Sequence, residues 1–178
     1  MHFAEDGLKC QIDWPLAETP QETVSTATMQ FGDSSIVPTR VSPSLTGKRI
    51  LIVEDEPLVA FDNEHFLREA GYEVVATVDG LAEAAKVLDE EEIDLVLCDI
   101  RLSGEGDGTD VARHAARRNV PVLFVTGLAP PQAEGLAIGC LAKPYSEKML
   151  TSALAALDNH LAGKKVKRVE GLSLYPQG

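Results

Sequence analysis

A doubly wound α/β sandwich, built on a five-stranded parallel sheet with helices on both faces, is the fold predicted for residues 47–162. Three observations carry the prediction. Short, continuous runs of branched apolar residues alternate with segments of helical period, as strands buried on both faces do when helices cover them. The first helical segment is bounded by Pro57 and Gly71, residues that favour a helix start and a helix end. Each of the five strand-like runs is followed by a helical or connecting segment, which a parallel sheet requires because the chain must cross back between strands.

The elements follow in order. RILIV at 49–53 is the first strand, and a helix runs from Pro57 to near Gly71. YEVVAT at 72–77 is the second strand; Leu81, Ala84, Ala85 and Leu88 then fall at i, i+3, i+4 and i+7 on one helical face. The third strand, LVLCDIRL at 95–102, runs from an apolar stretch into the carboxylate of Asp99. TDVARHAARRN makes a short helix, and PVLFVT at 121–126 the fourth strand. APPQAEGLA is a poor helix, because two prolines remove donors and glycine adds backbone entropy. AIGCLAK at 137–143 is the fifth strand, and Leu150, Leu154, Leu157 and Leu161 mark the inner face of a closing helix.

The flanks read differently. Residues 1–46 are interrupted by four prolines, are rich in Ser, Thr and Gln, and read as an extension or linker. Residues 163–178 read as a short tail, with KKVKR at 164–168 as a solvated helix end.

Composition excludes several classes. A formal net charge of -12 argues against a nucleic-acid surface, which needs clustered Lys and Arg, and favours a solvated acidic surface or a cation site. No apolar run reaches membrane-spanning length, and the opening MHFAEDGLKC lacks the basic-then-apolar order of a signal peptide, so the expectation is a cytoplasmic protein. Cys10, Cys98 and Cys140 have no metal-type spacing and read as reduced thiols.

Open parallel sheets bind ligands outside the carboxyl ends of their strands. Those ends carry Glu54-Asp55-Glu56, Asp99, Thr126 and Lys143-Pro144. An ionised carboxylate at the end of a buried strand needs a partner to offset its desolvation. Oxygen ligands from Asp55 and Asp99 suit Mg²⁺, which favours carboxylates and phosphate-bearing partners. A carboxylate beside such a cation can attack a phosphoryl donor, and Lys143 and Thr126 are placed to hold the phosphoryl oxygens.

With these residues in place, the stretch from Gly47 to Leu161 resembles the receiver domains of two-component response regulators, which have a flavodoxin-like fold. The resemblance rests on the acidic pair in ILIVEDE, the Asp in LVLCDIRL, the Thr in VLFVTG and the Lys-Pro in LAKPY, all in order. It implies that Asp55, Asp99 and the backbone carbonyl of Arg101 bind Mg²⁺, with Glu54 assisting through water. It further implies that Asp99 takes a phosphoryl group from a histidine kinase or phosphotransfer protein, that Thr126 and Lys143 read it out, and that a downstream protein responds. The domain would then be a signalling module rather than an enzyme. FVTG with the weak segment after it looks like the subclass whose signature is Phe-Ala-Thr-Gly, whose members often work with HWE-type kinases.

Two departures matter. Receivers usually carry an aromatic residue three positions before the Lys, where this chain has Cys140, and a small residue, often Ala, after the Thr, where it has Gly127. Aromatic coupling at position 140 is therefore not expected, and activation is expected to order residues 127–135 instead. Among alternatives, a haloacid-dehalogenase-type phosphatase needs a second acid two residues after Asp99, where Arg101 stands. A pseudo-receiver that never carries phosphate is disfavoured by the intact acids, Thr and Lys. The stretch at 2–18 looks similar to the terminal strands of an HWE-type kinase ATP-binding domain, which would make the chain the receiver end of a hybrid kinase. SGEGDGTD at 103–110 lacks the acid spacing of a calcium loop and reads as a mobile connection.

Overall fold

A computed structural model describes residues 48–127 and 131–176. The readings for residues 1–46, including the kinase-like stretch, lie outside the described residues. The elements are β1 (Arg49–Val53), α1 (Pro57–Glu69), β2 (Glu73–Val78), α2 (Leu81–Glu90), β3 (Leu95–Cys98), α3 (Gly108–Arg117), β4 (Val122–Thr126), a 3₁₀ turn (Pro131–Gly135), β5 (Gly139–Ala142), α4 (Glu147–Leu161) and β6 (Leu172–Leu174). The 3₁₀ turn stands where the sequence predicts a poor helix.

The sheet order is β2-β1-β3-β4-β5-β6. Strands β1 to β5 are parallel, so the order reverses between β1 and β3, and a ligand crevice belongs at their carboxyl ends. Alternation along each strand divides the core into two layers. Leu51, Val53, Val96, Cys98, Val122 and Phe124 face α2 and α3. Ile50, Ile52, Leu95, Leu97, Leu123 and Val125 face α1 and α4. The continuous apolar runs of the central strands follow from this two-sided burial. In α4, Leu150, Leu154 and Leu157 are fully buried, but Leu161, assigned from the sequence to the same face, is 41% exposed where the helix ends.

Among the described residues the sheet has six strands, not five. β6 pairs antiparallel with β5 through Gly139↔Leu174, Cys140↔Ser173 and Leu141↔Leu172. The stretch predicted to be only a tail thus closes one sheet edge. Glycine at 139 permits the approach: a Cβ there would lie 2.7 Å from the Ser173 carbonyl oxygen. The Tyr175 ring is buried in the layer that contains Cys140 and Phe124. An aromatic side chain therefore does stand beside position 140, supplied from 35 residues further along the chain rather than by β5. The KKVKR run lies past the end of α4, with its lysines and arginine exposed, and leads into β6.

Candidate functional site

Glu54 and Asp99 each follow a central strand by one residue, and both continue the sheet ladder. The Glu54 N–H donates to the Val78 carbonyl and the Asp99 N–H to the Val53 carbonyl, each at 2.9 Å. Because β1 and β3 are neighbours, the two acids emerge side by side. Glu54 is 3% exposed and Asp99 6%. On the far side, Thr126 ends β4, and its carbonyl accepts from the Lys143 N–H at 2.9 Å, which sets the lysine just beyond β5.

The lysine side chain returns across the sheet end. Its Nζ donates to Glu54 Oε2 and to Asp99 Oδ2, both at 2.6 Å. The other Asp99 oxygen accepts from the Arg101 N–H at 3.0 Å. Glu54 Oε1 is approached by the Glu56 N–H at 3.4 Å. The half-buried Asp55 accepts a hydrogen bond from the Ser103 hydroxyl. Glu54, Asp55 and Asp99 each offer an oxygen within 4.8 Å of the others, a spacing that a single cation spans.

Electrostatics follow from this arrangement. Burial raises the Glu54 pKa above the ordinary carboxylate range and Asp99 adds to the rise, while the Lys143 hydrogen bond and charge oppose it. Burial lowers the Lys143 pKa, but its bonds to Asp99 and Glu54 outweigh that effect and leave it raised. The pocket thus sets the Lys143 ammonium between two nearly buried carboxyl groups, Glu54 and Asp99.

Glu54, Asp55, Asp99 and Lys143 meet at the carboxyl ends of the strands, with Thr126 at the end of β4 and Arg101 attached to Asp99 through its N–H. Ser103 was not foreseen, because it lies in the loop read as a mobile connection. That loop is pinned at its base: the Gly108 N–H donates to the Ile100 carbonyl at 2.9 Å. A Cβ on Gly108 would fall 2.1 Å from the Asp99 carbonyl oxygen, so only glycine allows α3 to start against the backbone of the site. Asp107 caps the same helix, accepting from the Thr109 and Asp110 N–H groups while the Asp110 side chain closes a capping box. The glycine-and-acid composition of 103–110 was the available signal, and its role is to seat α3. A cleft of about 610 Å³ opens beside Glu54 and Asp55, walled by Pro57, Phe61, Thr77 and Asp79. Next to it, α1 exposes Leu58 (77%) and Phe61 (69%).

Comparison with known proteins places this geometry. Residues 50–155 match the family described as response regulator receiver domain. The chain is a receiver domain. Receiver domains are non-enzymatic modules of two-component signalling, and domains of this kind pair with histidine kinases. This receiver is 32% identical over 123 residues to the transcriptional regulatory protein PdtaR of Mycobacterium tuberculosis, covering 66% of this chain and 60% of that protein. It is 37% identical over 114 residues to the sensory transduction protein RegX3 of Mycobacterium bovis, covering 61% and 49%. The chain therefore spans about half to three-fifths of the length of these relatives. Among solved structures it is similar to the receiver domain of the sensor histidine kinase PA1611 of Pseudomonas aeruginosa, with a TM-score of 0.55, 28% identity, and coverage of 66% of this chain and 99% of that one. That structure has a magnesium ion coordinated in its active-site cleft. The Glu54, Asp55 and Asp99 cluster is typical of a receiver Mg²⁺ site. Among the described residues no helix is long and apolar enough to cross a membrane.

Proposed function

We propose that Asp99 accepts a phosphoryl group from a histidine kinase or a phosphotransfer protein and thereby switches the interactions of this receiver with a downstream protein in the cytoplasm. The observation that carries the reading is the Lys143 ammonium held between Glu54 and Asp99 at the point where the sheet order reverses, with Asp55 alongside. No packing requirement explains two buried acids and a cation at one strand end.

The donor set consists of hard oxygens and fits Mg²⁺, held by Asp55, Asp99 and the Arg101 backbone carbonyl, with Glu54 acting through water. When bound, the ion neutralises charge on the transferring oxygens. The chain's own residues supply the rest. One Asp99 carboxylate oxygen attacks phosphorus, the bond from phosphorus to the donor nitrogen breaks, and the electron pair leaves with the imidazole. The Arg101 N–H orients Asp99, and the Lys143 ammonium and Thr126 hydroxyl bind phosphoryl oxygens. Leu58 and Phe61 offer an apolar landing surface for the donor beside the acids.

The FVTG sequence, followed by a 3₁₀ turn rather than a full helix, supports membership of the Phe-Ala-Thr-Gly subclass and an HWE-type kinase as donor. Similarity to a receiver that is part of a sensor histidine kinase supports a second reading, in which this domain is the receiver end of a hybrid kinase. Labelling by acetyl phosphate or a phosphohistidine donor tests the proposal. Wild-type protein is expected to be labelled in Mg²⁺ and Asp99→Asn to take up no label; equal labelling of both would refute the assignment of Asp99.

A further inference from the structure

Strand β6 is attached to the same strand that positions Lys143. On one side of β5, the Lys143 N–H donates to Thr126 of β4. On the other, one residue earlier, the Ala142 N–H donates to the Gly171 carbonyl at 2.9 Å, and the Tyr175 N–H donates to the Ile138 carbonyl at 3.0 Å.

The sequence is fitted to this attachment at four points. Gly139 leaves room for the Ser173 carbonyl. Gly171 has a φ of +74°, and a Cβ there would come 3.1 Å from Met149 Cε. Cys140 is small enough to leave room for the Tyr175 ring, which is buried in the same core layer. Tyr175 itself is 7% exposed.

The attachment is nevertheless the weakest in the sheet. β6 has three residues, lies at an edge, and has Ser173 exposed with Leu172 and Leu174 only half-buried. It is reached through the exposed basic run at 164–168. β4, in contrast, pairs with β5 over four residue pairs and is buried along its whole length. Elements with few buried contacts at a sheet edge open first.

We propose that residues 163–176 form a releasable strap: a phosphoryl group on Asp99 loosens it from β5, and the bared edge takes up an extended strand of a partner protein. The coupling rests on the phosphoryl reading of the site. Phosphoryl oxygens on Asp99 stand farther out than the carboxylate that Lys143 contacts now, so the ammonium must move outward to reach them. Its backbone moves with the end of β5, and of the two neighbours of that strand β6 yields. The strap also shows what the edge accepts. Leu172 and Leu174 pack against one core layer and Tyr175 enters the other, so the partner strand carries aliphatic residues at alternate positions and an aromatic side chain facing Cys140.

Thiol labelling reads the strap directly, since Tyr175 covers Cys140. In the 178-residue chain carrying Cys10→Ser, labelling of Cys140 by N-ethylmaleimide is followed by peptide mass spectrometry, with the fully buried Cys98 as internal control. Fluorine NMR of bound beryllofluoride reports site occupancy. Mg²⁺ with beryllofluoride is expected to speed Cys140 labelling at least about tenfold and to leave Cys98 unlabelled. Tyr175→Ala is expected to label fast without beryllofluoride. The peptide Gly-Leu-Ser-Leu-Tyr-Pro, the sequence of residues 171–176, is expected to slow labelling again when added to the loaded protein. Bound beryllofluoride with unchanged Cys140 labelling would overturn the coupling alone. Faster labelling that the peptide does not reverse would overturn the docking of a strand. No bound fluorine signal at all would overturn the phosphoryl reading, and the coupling with it.

Discussion

Removing the Lys143 side chain tests the electrostatic logic of the site most severely. In Lys143→Ala, Glu54 and Asp99 stay nearly buried while losing the ammonium that donates to each at 2.6 Å. Breaking a buried pair by deleting one partner costs about 3–5 kcal/mol, because the remaining charge is uncompensated. The Lys143 side chain is 21% exposed, which admits some water and sets the expectation at the lower end, about 3 kcal/mol at pH 8. That is a large share of the roughly 5–15 kcal/mol by which a domain is stable.

The pH dependence has a definite sign. Glu54 already has a raised pKa in the folded protein, and loss of Lys143 removes the effects that oppose the rise. A carboxyl of this kind stabilises below its ordinary range and loses that contribution as pH rises through its raised value. The variant is therefore expected to lie closest to wild type near pH 5 and to fall further behind toward pH 8. In wild type, the raised Lys143 pKa places loss of its contribution above the ordinary lysine value, so that contribution is intact across the neutral range. Mg²⁺ is expected to restore part of the variant's stability, since a cation among the three acids replaces the missing charge. Urea denaturation at both pH values, with and without Mg²⁺, measures all three effects. A loss under about 1 kcal/mol at pH 8, the worth of a surface ion pair, would refute the view that Lys143 holds the acids in place.

Other predictions follow from single contacts. Gly108→Ala puts a Cβ 2.1 Å from the Asp99 carbonyl oxygen and is expected to cost more than about 2 kcal/mol in thermal or urea unfolding, with reduced acetyl phosphate labelling because the backbone of Asp99 is displaced. Asp107→Ala removes the cap of α3 and is expected to cost about 1 kcal/mol. Hydrogen bonds from Thr109 hold the Asp107 pKa below the ordinary range, so this contribution is present above that range and is lost as pH falls through the depressed value; the stabilities of variant and wild type should converge at low pH. Beryllofluoride is expected to slow amide exchange across 131–135, the described part of the soft segment after Thr126, and unchanged exchange there would remove that segment from the switch.

Much of this protein was decided locally and is therefore legible in the sequence. Strands buried on both faces must be continuously apolar and helices must show a 3.6-residue period, so β1 to β5 and the four helices can be read from side-chain pattern alone. The acids of the site are visible for the same reason: Asp99 interrupts an apolar strand, and an uncompensated buried charge is too costly to arise without a partner. What the pattern does not contain is the docking of one segment on another. Leu172-Ser173-Leu174 is too short to show a period, and it is a strand only because the edge of β5 is open and Gly139 lets it approach. Cys140 alone indicates the absence of a ring; tertiary packing brings Tyr175 to it. The lysine bridge between Glu54 and Asp99, the Ser103 hydroxyl on Asp55 and the contact of Gly108 with the Asp99 backbone join residues up to 89 positions apart. Such contacts depend on strand order and register, and these are fixed only when both layers of the core close around the sheet.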